Sequence, residues 1–563
     1  MRSLRWSVLA LALAVAAPSC GGGGGGGGAA QPAALSSRWA APSILSHIPA
    51  DSPYVMVTLD PPSEALRQKL MQNVEQQIAQ STAAIDKLHG VDRSKLKPWH
   101  RALLAFLDEL RGKSSATWIE QLGFDPRGRF ALYGLSLWPV ARIEIASPQR
   151  MQAAIQRVLI ASGVAPELRT LDGRRYWLTG DSELSLVFAV LDREAVAALL
   201  PTAVLDAALP LVLGTRLPEH NLAAATTVPD LLAHHHLLGF LLAYVDSHNL
   251  ADIIAGPQPR ALDIPLRART GAVPPACRTD LDRLASLVPR VVLGYHKVDA
   301  TAFEATAVVE LAPSAIGGLR ALQAAVPEVG PRAPGHPLLA LGAAVDLDQL
   351  IAWLRRGTQE LHDHPFTCPW FAGINQSGAE LADALATPLP PAWRGVRGFA
   401  LTIDDASLVP PSVTGHVILA GDRVADLVTS LAGSVPAIAG IPLVGDGRAV
   451  ALPTQQLRLP AQSAHLALTT DRLVIAAGAG SERRATEHLA SRAPKASPLL
   501  TMAFDMPRLN QLLVALGQPQ PGGFGTLRDV GLRLDIGDRG LSFDVWGTWG
   551  TAPPAQLAAP PHP

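Results

Sequence analysis

Leu338-Leu339-Ala340-Leu341-Gly342-Ala343-Ala344-Val345-Asp346 is an apolar run stopped by one carboxylate, and Leu350, Trp353 and Leu354 follow that aspartate at four, seven and eight residues. A short apolar run followed by a stripe with helical spacing reads as a buried strand feeding an amphipathic helix. The aspartate falls where the free N–H groups of a helix start need a side-chain acceptor, and Gln349 stands at the capping-box position. The pattern returns at 184–191 with Asp192, then Val196, Leu199 and Leu200. It returns at 237–245 with Asp246, then Leu250, Ile253 and Ile254, and at 499–504 with Asp505, then Leu509, Leu512 and Leu513. A looser relative is 53–59 with Asp60 and a helix from Ser63.

Working outward, hairpins separate these units. Residues 130–135 and 140–146 flank a turn near Trp138 and Pro139, after which Ser147-Pro148 opens a helix. Residues 465–469 and 472–477 pair across Thr470-Asp471, with Ser481 capping the next helix, and 530–536 and 541–548 pair around Gly537-Asp538-Arg539-Gly540. Strands that come as hairpins and then feed helices predict an α+β fold of mixed or antiparallel sheet covered by helices. Between 63 and 112, Leu66, Leu70, Val74 and Ile78 make one helical stripe and Leu103, Phe106, Leu107 and Leu110 another, which predicts a helical hairpin broken at 90–98. Val326-Pro327-Glu328-Val329-Gly330-Pro331 with Pro334-Gly335 reads as a boundary. Two related halves are therefore expected, 39–327 and 336–549, followed by a Pro/Ala-rich tail at 550–563.

The other end of the chain is more specific. Arg2 and Arg5 precede an uncharged apolar run at 8–17, then come Pro18, Ser19, Cys20 and eight glycines, Gly21 to Gly28. The run is shorter than the ~20 residues a membrane helix needs and fits a secretion signal over residues 1–19. Ala17-Pro18-Ser19-Cys20 resembles the cleavage site of a bacterial lipoprotein signal; Ser19 fits that pattern and Pro18 departs from it. The resemblance implies that Cys20 becomes an acylated N-terminus, and two or more acyl chains make a stable membrane anchor. Residues 20–38 would then be a tether, and from Gly21 to Ser37 a flexible chain reaches roughly 20–25 Å. Gly21 directly after the cysteine resembles outer-membrane sorting, with the body facing the periplasm or the cell surface. Ile48-Pro49-Ala50-Asp51-Ser52-Pro53-Tyr54-Val55 and the stretch from Ala131 to Arg142 resemble uncharacterised bacterial envelope proteins, and no catalytic residue comes with that likeness.

With 563 residues, 48% of them hydrophobic and 17% charged, the chain can build substantial cores. A net charge of -1 argues against a nucleic-acid partner, because phosphate binding needs clustered Lys and Arg. After Cys20, only Cys277 and Cys368 remain, and in an oxidising envelope two such thiols are expected to pair. The alternative is two buried free cysteines. Closing a loop of about 90 residues is worth at most roughly 4–5 kcal/mol in the chain-entropy model.

Chemistry is sparse. His234-His235-His236 cannot easily face one metal, because adjacent residues point in different directions, and reads as a turn. His362, Asp363 and His364 with Cys368 offer imidazole and thiolate within seven residues, a weak zinc candidate opposed by Pro365 and Pro369 and by a disulfide at Cys368. Gly-x-Ser-x-Gly is absent, and Ser94-Lys95-Leu96-Lys97 lacks its companion motifs. Gly478-Ala479-Gly480-Ser481 and Gly522-Gly523-Phe524-Gly525 complete no phosphate loop. Asp404-Asp405 and Asp446 read as turn or cap residues. No catalytic, cofactor or metal residue is assigned. The expected function is a membrane-tethered envelope protein with a non-enzymatic binding or structural role, its partners membrane lipid through the anchor and either an envelope protein or a lipid ligand. The alternatives are a carrier or sensor of a lipid or other apolar ligand, and an enzyme whose site is assembled from distant residues.

Overall fold

A computed structural model of the chain describes residues 44–71, 98–110, 113–163, 165–258, 260–271, 273–330, 336–433, 440–518 and 527–550. The chain separates into two compact units, residues 1–305 and 306–563, and the fold is α+β.

The first unit carries β1 (Tyr54–Thr58), β2 (Phe130–Leu135), β3 (Trp138–Glu144), β4 (Glu167–Leu171), β5 (Arg174–Gly180), β6 (Leu184–Val190), β7 (Glu194–Pro201), β8 (Leu242–Asp246) and β9 (Arg290–Val298). These pair antiparallel in the order β9-β8-β1-β2-β3-β7-β6-β5-β4. Helix α1 (Leu205–Leu213) follows β7, and α2 (Ser247–Ala255) follows β8. Alternation places Val55 and Val57 of β1, Val187 and Ala189 of β6, and Val196, Ala198 and Leu200 of β7 in one core with Leu205, Ala208, Leu209 and Val212 of α1.

The second unit carries most of β10 (Ala302–Glu310), then β11 (Leu339–Ala344), β12 (Val396–Leu408), β13 (Pro411–Gly421), β14 (Ala449–Ala451), β15 (Ala464–Leu468), β16 (Arg472–Ala477), β17 (Leu500–Asp505), β18 (Leu527–Ile536) and β19 (Gly540–Trp549). Their order is β10-β19-β18-β17-β11-β12-β13-β16-β15-β14. Helix α3 (Leu347–Asp363) follows β11, α4 (Ser481–Leu489) follows β16, and α5 (Met506–Ala515) follows β17. With β1 set beside β11, the two orders correspond: β2 with β12, β3 with β13, β7 with β16, β6 with β15, and β8 with β17. In the second unit α4 is the one helix between β16 and β17, whereas in the first unit α1 and a further helix, Thr227–His234, lie between β7 and β8.

Several sequence readings hold. Asp246 accepts from Asn249 N–H at 3.0 Å, Asp346 from Gln349 N–H at 2.9 Å and Asp505 from Arg508 N–H at 3.1 Å, so each caps its helix. Ser147 accepts from Arg150 N–H ahead of a helix with Pro148 in its first turn. Residues 64–71 are helical, Ser63 Oγ accepts from Leu66 N–H, and Pro98–Leu110 is the second helical piece; the break at 90–98 lies largely outside the described residues.

Others need correction. Asp192 starts no helix. Leu191 N–H donates to Glu194 O at 2.7 Å, the chain turns, and β7 pairs with β6 along its length. Residues 195–200 are all apolar and satisfy a two-residue period as well as a helical one, so the neighbouring strand decided between them. The β2–β3 turn is Ser136-Leu137, because Trp138 pairs with Leu135 and Pro139 with Gly134. Ser481 is not the cap of α4: Gly480 holds that place with φ +69°. The division between units falls at 305/306 instead of 327–336. Helix Pro313–Arg320 buries Ile316 and Leu319 against Leu322 and Ile536, and Val326 and Val329 are wholly buried with Ala344, Ala400 and Ile418, so the segment expected as a boundary is core of the second unit. Residues 1–43, with Cys20 and the tether, and the tail at 551–563 lie outside the described residues.

Candidate functional site

Val326-Pro327-Glu328-Val329 closes with Val329 N–H donating to Val326 O at 3.3 Å, and Glu328 takes φ +63°. Proline second and a positive φ third is the pattern of a type II turn, whose third place ordinarily belongs to glycine or asparagine. Holding a glutamate there costs about 1 kcal/mol or more. Buried valines on both sides, and Ser497 bonded to both Val326 N–H (3.1 Å) and Val326 O (3.2 Å), hold the turn in place.

The turn aims Glu328 at two histidines. His416 lies on β13 between Thr402 of β12 and Ala476 of β16, and is 6% exposed. His488 is in the last turn of α4, a helix that lies on the sheet through fully buried Ala485 and nearly buried Ser481. Residues 481, 485 and 488 share one helical face, so the packing that buries Ala485 also carries His488 inward. His416 Nε2 is 2.7 Å from Glu328 Oε2, and His488 Nδ1 is 2.5 Å from Glu328 Oε1. The two imidazoles stack, with centroids 3.7 Å apart and planes 21° apart. Burial pushes the Glu328 carboxyl up, but hydrogen bonds from His416 and His488 outweigh it and hold the pKa at about 2. The group is thus a carboxylate with two imidazole nitrogens against it. His416 Nδ1 is buried without a hydrogen-bond partner. One ligand atom from each residue lies within 4.8 Å of the others, and among the described residues no other set of His, Cys, Asp or Glu converges in this way.

On β3, the strand that matches β13 in sheet order, the first unit buries Arg142, which has no exposure. Its Nη1 donates to Glu194 Oε2 at 2.6 Å, its Nη2 to Val212 O at 2.5 Å and Leu211 O at 3.3 Å, and its Nε to Tyr133 Oη at 3.3 Å. A guanidinium here answers the free carbonyls and negative dipole end of α1. His47, from the segment leading into β1, has its pKa lowered to about 4 by burial and by the charges of Arg142 and Arg174. In the second unit the same duty at the end of α4 falls to Arg472, whose Nη1 donates to Leu489 O at 2.5 Å and Ser491 O at 2.7 Å.

The candidates from the sequence lie elsewhere. His362 and His364 are exposed at the end of α3 and join no convergent ligand set among the described residues. Their third partner is spent, because the expected disulfide is formed: Cys277 and Cys368 are both disulfide-bonded and both buried. Asp404 and Asp405 lie on β12, not in a turn, and pair with Arg484 at 3.1 Å and Arg508 at 2.8 Å. Ser481 Oγ is 2.9 Å from His465 Nδ1 and 3.0 Å from Ser463 Oγ. That geometry suits a nucleophile and base, but Ser481 is 1% exposed and its hydroxyl ties the start of α4 to β15. His235 is buried, not part of a solvated run.

The Glu328–His416–His488 set escaped the sequence reading because its members are 88 and 160 residues apart from Glu328 and form no local motif. The one available signal was a glutamate after proline in a segment otherwise built for a glycine turn. No protein-family model, curated protein or solved structure matches the chain.

Proposed function

We propose that this chain is a membrane-tethered envelope lipoprotein with a binding or structural role. Residues 1–19 are removed, Cys20 is acylated, and 20–38 tether two α+β bodies to a membrane, the outer membrane facing the periplasm or cell surface. The observation that carries the reading is the order of Arg2, Arg5, the apolar run 8–17, Cys20 and Gly21 to Gly28. The described helices fit it, since none is long and apolar enough to cross a membrane, which leaves anchoring to the acyl chains. The two units are related halves, a reading supported by their corresponding strand orders and by the strand-Asp-helix junctions at Asp246, Asp346 and Asp505. Membrane lipid is then one partner, and an envelope protein the other.

Cys20→Ala tests this directly. The variant moves from the membrane pellet to the soluble fraction, whereas unchanged pelleting contradicts the anchor. A second reading, carriage of an apolar ligand, draws on α3 and helix Ala372–Ala386, neither of which buries a single residue. Purified protein carrying lipid detectable by mass spectrometry supports carriage, and lipid-free protein opposes it.

A further inference from the structure

We propose that Glu328, His416 and His488 form a binding site for one divalent transition-metal ion of the zinc class. The site stands apart from the anchor: it would exist whether or not Cys20 is acylated.

The donor set comes first. Two imidazole nitrogens and one carboxylate suit zinc and its first-row neighbours, whereas calcium and magnesium demand mostly oxygen. Three protein ligands leave at least one coordination position for water or an exchangeable group, the pattern of an open site. Access agrees with this. The His416 side chain is 4% exposed, while the Glu328 and His488 side chains are 14% and 25% exposed, so solvent reaches the cluster on their side.

The geometry comes second. Two ligands on one zinc with bonds near 2.1 Å stand about 3.4 Å apart in a tetrahedron. The carboxylate oxygens lie 2.7 Å from His416 and 2.5 Å from His488. Each pair therefore opens by less than about 1 Å to admit the ion. The two stacked rings, whose planes are 21° apart, must also turn so that both in-plane lone pairs meet at the ion, and the side-chain torsions of Glu328 and His488 are the ones that would supply these movements.

The backbone comes third. A hydrogen-bonded tie between helix and sheet could be made by many side chains at unstrained positions. Here the carboxylate is held instead at φ +63°, a conformation that disfavours any residue with a Cβ. Strain of this kind gathers where a side chain must be aimed. Ser497 and the buried valines on either side over-determine the turn.

The test uses the full-length protein in detergent, stripped with EDTA and titrated with Zn2+ alone against a chromophoric chelator. One Zn2+ per chain is expected, bound at least about tenfold more weakly by Glu328→Gln and by His488→Gln, with Zn2+ raising the melting temperature of the wild type and not of the variants. Both variants keep the size of the side chain, and their melting in EDTA shows whether they are folded. Co2+ in place of Zn2+ gives visible d–d bands without thiolate charge transfer, as a nitrogen and oxygen set requires. A wild type that binds no stoichiometric Zn2+, or undiminished binding in both variants, overturns the proposal.

Discussion

Arg142 and His416 occupy corresponding strands, β3 and β13, and both point beneath the end of the helix that follows the next strand in the sheet, α1 in one unit and α4 in the other. In the first unit the buried group on this strand is a guanidinium. Arg142 satisfies a carboxylate, two carbonyls and a phenol at once, and nothing is left to bind. In the second unit Arg472 bonds the carbonyls at the end of α4, and β13 brings His416 to the same helix beside His488 and Glu328. One architecture thus carries a closed polar node and an open one. The difference lies in the side chains that each unit sets on its sheet.

The largest effect should come from breaking the closed node. Arg142→Met leaves the half-buried Glu194 and the carbonyls at the end of α1 without their partner, and removing one partner of a buried pair costs up to about 3–5 kcal/mol. Chemical denaturation measures this, and a loss under about 1 kcal/mol would dissolve the contrast between the nodes. Next is pH. His47 has a folded pKa of about 4, below its unfolded value of about 6.5. The unfolded chain therefore takes up a proton that the folded chain refuses as pH falls from 6.5 to 4, and stability is lost across that window. Discounted for the solvent that reaches the ring, the loss is about 2 kcal/mol. His47→Gln should flatten the slope between pH 6.5 and 4, and an unchanged slope would remove His47 from the account.

The open node is tested through its strain. In EDTA, Glu328→Gly and Glu328→Ala lose the same hydrogen bonds, but only alanine still pays for a positive φ. The glycine variant should be the more stable by about 1 kcal/mol, and equal stabilities would mean that the turn is unstrained. The smallest effect separates a real cap from a false one. Asp346→Ala should cost about 1 kcal/mol, while Asp192→Ala, in a hairpin turn, should stay within about 0.5 kcal/mol.

That last pair also marks how much was legible. The aspartates at 246, 346 and 505 were readable because a cap, a helix stripe and a preceding apolar run all agree within about ten residues. Asp192 heads no helix because residues 195–200 are apolar at every position and fit either period, and β6, which lies alongside, chose strand. Val326 to Pro331 reads as a boundary for a related reason. Its prolines and glycine signal a turn correctly, but whether a turn is exposed or buried depends on what packs over it, and here that is Ala344, Ala400 and Ile418. The candidate site was invisible for the same cause at longer range: β13, α4 and the turn meet only after the sheet has formed. The disulfide was legible because only Cys277 and Cys368 remained to pair after Cys20 was set aside.

The most direct measurement of the contrast between the nodes is anomalous diffraction from crystals of the protein grown with Zn2+. A single strong peak is predicted about 2.0–2.2 Å from His416 Nε2, His488 Nδ1 and a Glu328 oxygen, with none beside Arg142. Density that leaves the carboxylate hydrogen-bonded to both rings, with no ion among them, would contradict it.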